Sequence, residues 1–203
     1  FHGKAIDIDR CEKHAEQGHI PWDRKCIACV RAGLRSRMHR RNVKRKRVGR
    51  LDIDLAVYAK GGPYCLVGAT TNAVGKPVIV AEPLSSKEAS EIERGIAALV
   101  IEAEHLWAAP LITRVHGDEE RGLLAIAQSL HMSGIWATVT QGYDPAANGS
   151  AEGAIGLLSV GARSRISQLE ENNASDATKK VLWPHAMVHA ACTYSAYHSG
   201  GAS

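Results

Sequence analysis

The chain has no uninterrupted run of about 18 apolar residues, so a helical membrane span is excluded at the outset. It also has no charged leader followed by an apolar stretch. With Phe1 as its first residue, it reads as an excerpt of a longer chain and not as a secretory precursor. Cysteine is sparse: five residues, two of them in a Cys26-x-x-Cys29 pair, suit metal ligation in a reducing compartment better than a disulfide framework. No βαβ pattern surrounds that pair, which argues against a thioredoxin-like redox role. No glutamate lies between His185 and His189, so this i,i+4 pair lacks the general base of an HExxH metallopeptidase helix.

What is present is ordinary in bulk and uneven in detail. With 203 residues, 45% apolar and 23% charged, the chain is expected to be a soluble protein with one substantial core and a small accessory unit. The net charge of +4 conceals a basic block. In RSRMHRRNVKRKRVGR, residues 35 to 50, nine of sixteen residues are Arg or Lys. Such a block repels itself and reads as a nucleic-acid patch or a nuclear-localisation signal, with Arg40, Arg41, Lys44, Arg45, Lys46 and Arg47 as its densest part. A solvated linker is the plainer alternative, and either reading makes the block a boundary. The expected organisation is therefore an accessory unit over 1–34, a basic linker over 35–50 and a main domain over 51–203.

The accessory unit contains CEKHAEQGHIPWDRKCIACV, in which His14, His19, Cys26 and Cys29 follow the spacing H-x4-H-x6-C-x2-C. Two imidazoles and two thiolates make a tetrahedral set suited to structural Zn²⁺, and a Cys-x-x-Cys turn lets two sulfurs converge on one ion. Cys11 is a rival ligand to His14. A segment this short cannot build a core, so metal would have to supply its folding free energy.

After the basic block, LDIDLAV at 51–57 alternates with a period of two and reads as a strand. YCLVGATT and KPVIVAEP follow, separated by KGGP and NAVGK, which predicts an antiparallel meander. SSKEASEIERGIAALVIEAEHLW begins with a Ser-x-x-Glu capping pattern and places Ile92, Ile96, Leu99, Val100 and Ala103 on one helical face of about six turns. A strand PLITRVH, a helix from Glu119 to His131, a short strand GIWATV and two long helices complete the order β-β-β-α-β-α-β-α-α. The first long helix begins at Asn148, expected as its cap, with Gly149 allowing close backbone approach. The second contains Pro184. This order implies an α/β fold with a mixed sheet. Trp107, Trp136 and Trp183 are expected in the core, as are Cys65 and Cys192.

The acids fall at telling places in this order. Asp52 and Asp54 share a face of the first strand, Asp118 follows the fourth strand, and Glu152 lies on the first turn of the helix after the fifth. A carboxylate at a helix start also complements the helix dipole, which is the plain reading of Glu152. Carboxylates delivered from a central strand, its neighbour and an adjoining helix can instead converge on one point. There they repel unless a cation neutralises them. Hard oxygen donors suit Mg²⁺ or Mn²⁺, and two such ions can stabilise both the attacking and the leaving oxygen of a phosphodiester displacement.

These residues carry a resemblance. Pro145-x-x-Asn148-Gly149-x-x-Glu152, with Leu158, Ala162 and Arg163 after it, resembles the signature around the third acid of retroviral and retrotransposon integrases. RVHGDEERG resembles the segment around their second acid, LDIDLA the first, and LWPHAMVHAA is similar to the tryptophan helix after the core of copia-type elements. Between Asp118 and Glu152 stand 33 residues, near the family's usual separation. The chain departs from the pattern at Glu119, Glu120 and Arg121, where a Gly-rich turn is usual, and at Gly153 and Ala154, where a basic pair is common. The resemblance implies a five-stranded RNase H-like core with catalytic, metal-binding Asp54, Asp118 and Glu152, acting on DNA ends in 3′-processing and strand transfer. It further implies a homo-oligomer working in the nucleus. Leu55 and Ala56 after Asp54 favour that residue as the first acid, with Asp52 as the alternative on the same face. A nucleic-acid-binding module without catalysis, or an RNase H-like nuclease, would use the same residues differently.

Overall fold

The structure is a computed structural model and describes residues 14, 16–19, 23, 26, 29, 48–59, 61–118, 121–139, 148–171 and 173–199. Cys11, Pro145, Glu119 and Glu120 lie outside the described residues, as do Arg40, Arg41, Lys44, Arg45, Lys46 and Arg47 of the basic run.

Five strands form one sheet in the order β3-β2-β1-β4-β5. β1 (Arg50–Val57), β2 (Tyr64–Thr71) and β3 (Pro77–Leu84) are an antiparallel meander, while β4 (Arg114–Gly117) and β5 (Trp136–Val139) run parallel to β1. With the helices flanking it, this is the RNase H-like α/β arrangement. The alternation in β1 decides what goes where. Leu51 and Ile53 enter a core shared with α1 (Ala89–Ile101) and α2 (Arg121–Met132), whereas Ala56 enters a second core on the opposite face. That second core is closed by α3 (Gly149–Glu171) and α4 (Asp176–Ser199).

The first core is built from branched aliphatics, including Val78, Val80, Ile92, Ile96, Leu99 and Val115, all at most 3% exposed. The second uses small residues where the two helices meet. A Cβ on Gly161 of α3 would stand 3.0 Å from the Cβ of Ala190 of α4. The alanine and glycine content of α3 is thus what lets it lie close to its neighbour. Leu158, Trp183 and Met187 supply the larger volumes of this core.

Several expected details differ. Helix α1 starts at Ala89 with Glu88 as an extended N-cap and no side-chain cap; Ser86 Oγ accepts from the Glu88 N–H instead. Its later turns become a π turn, Glu102–Leu106, so the regular helix is shorter than the apolar spacing predicts. The fourth strand begins four residues beyond Pro110, because the Ile112 N–H is taken by Glu104 Oε1 at 2.5 Å and is not available to the sheet. Trp136 is 60% exposed, its ring against His131 with centroids 4.4 Å apart, so it is no core anchor; it opens an outer strand of the sheet. Trp183 and Cys65 are buried as expected, and Cys192 is half-buried beside Glu102.

Strand β3 forms the other edge of the sheet, and α4 covers it. Ser195 Oγ accepts from the Ile79 N–H at 2.9 Å and donates to the Ile79 carbonyl at 2.7 Å, with Ser195 fully buried. One hydroxyl thereby satisfies two backbone groups that a missing sixth strand would otherwise have paired. Ser195→Ala leaves both without that partner and is expected to lower stability by about 1–3 kcal/mol in equilibrium denaturation. A change indistinguishable from zero would show that the edge is satisfied some other way.

Candidate functional site

The parallel pairing of β1 with β4 sets the positions of the acids. Asp52 stands beside His116; Asp54 lies two residues further along β1, and Asp118 follows Gly117, the last residue of β4. Asp54 and Asp118 line one small cleft beside the middle of β1 and the C-terminal end of β4, together with Ile53, Leu55, Gly117 and Leu123. Asp54 is half-buried and its Oδ1 accepts a 2.7 Å hydrogen bond from the Leu55 N–H; Asp118 is exposed. Asp52 is different in kind. It is fully buried, and its Oδ1 takes the Arg50 Nε–H at 2.5 Å. His116 is buried and shares a 2.9 Å hydrogen bond between Nδ1 and Thr138 Oγ1, as a packed strand-end histidine should.

Glu152 sits in the first turn of α3 and is exposed. The helix docks on the sheet through Ala154, Leu158 and Ala162, with Ala151 also buried, which leaves Glu152 and Gly153 on its open side. The structure therefore brings Asp54 and Asp118 into one cleft but does not gather Glu152 with them as a ligand set. Asn148 does not cap the helix through its side chain: it is 1% exposed, and both amide atoms lack a hydrogen-bond partner among the described residues. Its backbone carbonyl accepts from the Glu152 N–H at 3.2 Å, so the main chain starts the helix. A Cβ on Gly149 would meet nothing within 4 Å, so no neighbour in the chain requires glycine there. His185 and His189 are both exposed on α4.

The second group is compact. His14, His19, Cys26 and Cys29 are all buried, and one ligand atom from each lies within 4.8 Å of the others. His14 Nε2 is 3.1 Å from Cys29 Sγ, and His19 Nδ1 is 3.5 Å from Cys26 Sγ and 3.8 Å from Cys29 Sγ. Among the described residues this is the one set of three or more His, Cys, Asp or Glu side chains so gathered. Its N₂S₂ chemistry is that of a tetrahedral zinc site, and the group could hold such an ion.

The electrostatics of the cluster follow first from its burial. Burial, then the neighbouring His14 and Arg165, holds the His19 imidazole down from its ordinary 6.5 to about 4, so it is neutral and able to donate a lone pair. Burial pushes the Cys29 thiol up to about 12, with Cys26 adding to the rise, so without a cation this sulfur keeps its proton. A histidine whose folded pKa is depressed is bound by fewer protons in the folded state than in the unfolded one. The stability it contributes is present above about 6.5 and is lost as pH falls towards about 4.

No family model matches the chain, and no curated protein matches it. Among solved structures, the catalytic core domain of BIV integrase is similar over 71% of this chain and 82% of that chain, with 17% identity and a TM-score of 0.49. A simian T-cell lymphotropic virus intasome, solved in complex with the PP2A regulatory subunit B56 gamma, is similar over 85% of this chain and 66% of that chain, with 15% identity and a TM-score of 0.46.

Sequence reasoning missed the surface on which the His/Cys cluster rests. Arg165, Gln168 and Thr193 reach it from α3 and α4. A sequence separation of 147 residues between Gly18 and Arg165 leaves no local pattern to read.

Proposed function

We propose that the chain is an integrase-type polynucleotidyl transferase, part of a copia-type retrotransposon polyprotein, that processes 3′ DNA ends and joins them to a target duplex. The observation that supports this reading most is that Asp54 of β1 and Asp118, just past the end of the neighbouring parallel strand β4, line one cleft of the sheet domain. The Pro145-to-Glu152 motif supports Glu152 as the third acid. Asp54, Asp118 and Glu152 would hold Mg²⁺ or Mn²⁺, to which all three offer the hard oxygen donors such ions prefer. When bound, a pair of these ions supplies activation of the attacking oxygen and stabilisation of the leaving one.

The chain's own residues set the site. The Leu55 N–H orients one oxygen of Asp54. The Arg50–Asp52 pair neutralises the other β1 acid inside the protein, whereas Asp54 lines the cleft with Asp118. His14, His19, Cys26 and Cys29 would hold one Zn²⁺ in a structural role. Arg40, Arg41, Lys44, Arg45, Lys46 and Arg47 would neutralise phosphates of the element ends and target DNA, in a homo-oligomer acting in the nucleus.

The test is a strand-transfer assay on short duplexes with Mn²⁺, using multimeric, folded protein. Joined products support the reading. Metal-dependent nicking without joining would make the chain a nuclease, and DNA binding with neither would make it a silent binding module.

A further inference from the structure

The four His and Cys residues do not stand apart from the sheet domain. The turn carrying Gly18 and His19 lies on α3 and α4, and its backbone is in the left-handed region at both positions, with φ of 68° and 62°. A Cβ on Gly18 would collide with Thr193 of α4 and with the Arg165 guanidinium of α3. The missing side chain thus permits direct backbone contact with both helices. Arg165 is the centre of that contact. Its Nη2 donates to the Gly18 carbonyl at 3.4 Å and to Thr193 Oγ1 at 3.2 Å, and its Nη1 donates to the Gly161 carbonyl at 3.0 Å.

His19 shows why this contact bears on metal. Its Nδ1 faces the two sulfurs, so the outer nitrogen is Nε2, which is buried and, among the described residues, makes no hydrogen bond of full geometry. Gln168 of α3, one helical turn from Arg165, reaches the same imidazole. A ligating histidine is normally held in one tautomer and one orientation by a partner on its other nitrogen. Gln168 is placed to be that partner, and Arg165 fixes the carbonyl of the residue just before the ligand.

We propose that the metal site is completed by the core: Arg165 and Gln168 on α3 are positioning residues for the ion held by His14, His19, Cys26 and Cys29. This rests on the reading of those four residues as a metal site, and it makes the site a joint product of both ends of the chain. Positioning partners of this kind are worth about 10–100-fold in metal affinity.

The experiment is competition for Zn²⁺ against a chromophoric chelator, using the full chain, with the Co²⁺ ligand-field spectrum as a second readout. Arg165→Ala, Gln168→Ala and Gly18→Ala are each expected to weaken Zn²⁺ binding by about 10–100-fold and to alter the Co²⁺ bands, while the four ligands are intact. Arg165→Lys should recover only part of the loss, because an ammonium cannot serve the Gly18, Gly161 and Thr193 acceptors together. Ser195→Ala is the comparator. It removes hydrogen bonds to the Ile79 backbone of β3 and none to the cluster, and should leave affinity and spectrum unchanged. If the parent protein binds no Zn²⁺ or Co²⁺, the metal-site reading fails. If the parent binds but Arg165→Ala and Gln168→Ala match it, the joint-site proposal is overturned alone. Equal weakening by Ser195→Ala would overturn it too, by showing general destabilisation as the cause.

Discussion

Asp118→Asn and Glu152→Gln are each expected to lower metal-dependent DNA joining by about 10²–10³-fold or more while DNA affinity stays within a few-fold of the parent. The amides keep the size and hydrogen-bonding capacity of the acids but remove the charge that a divalent cation needs, and electrostatic stabilisation at the reacting oxygens is worth at least this much in comparable sites. Asp54→Asn should behave alike. Asp52→Asn should not, because its carboxylate faces Arg50 inside the protein. Removing it leaves a partly buried guanidinium without its counter-charge, a loss of about 3 kcal/mol or less given that Arg50 keeps some contact with water. The contrast is measured by strand transfer and chemical denaturation on the same preparations. Loss of joining in Asp52→Asn with joining retained in Asp54→Asn would reverse the assignment of the first acid, and joining retained in Glu152→Gln would remove the third.

Deleting residues 35 to 47 is expected to have the next largest effect, on binding and not on stability. The segment carries eight Arg and Lys residues. Each phosphate neutralised contributes roughly −0.9 to the slope of log affinity against log salt for duplex DNA. Removing the segment should therefore flatten that slope by several units and weaken binding at low salt by orders of magnitude, with little preference among sequences. Titrations of a labelled duplex at four or five salt concentrations would show it. A slope unchanged by the deletion would make the run a linker or a targeting signal.

Much of the architecture was legible because it is written in local periodicity. The period-two alternation of LDIDLAV and the Val- and Ile-rich segments after it named three strands, and the order of elements named the fold class. The spacing of two histidines and two cysteines named a cluster that the structure draws together. Errors arose wherever a tertiary partner overrode a local preference. Ser85 to Glu88 looks like a capping box, yet the Ser85 N–H is held by Glu91 and the helix starts beyond it. Asn148 is an ideal cap by residue type, but its side chain is buried and its amide has no hydrogen-bond partner among the described residues. Trp136 is large and apolar, and its place on an outer strand leaves it in solvent.

By itself, then, the sequence determined the strands and helices and the spacing of the His/Cys group, and it proposed the basic boundary and the three acids, all of which depend on residues close in the chain. It could not choose between Asp52 and Asp54, since residues two apart on a strand share a face. Only the tertiary structure gives them different surroundings, with Arg50 on the buried Asp52 and Asp54 lining one cleft with Asp118. It alone also placed the N-terminal cluster on Arg165 and Thr193, because a contact spanning 147 residues depends on how two helices pack, and no local pattern encodes that.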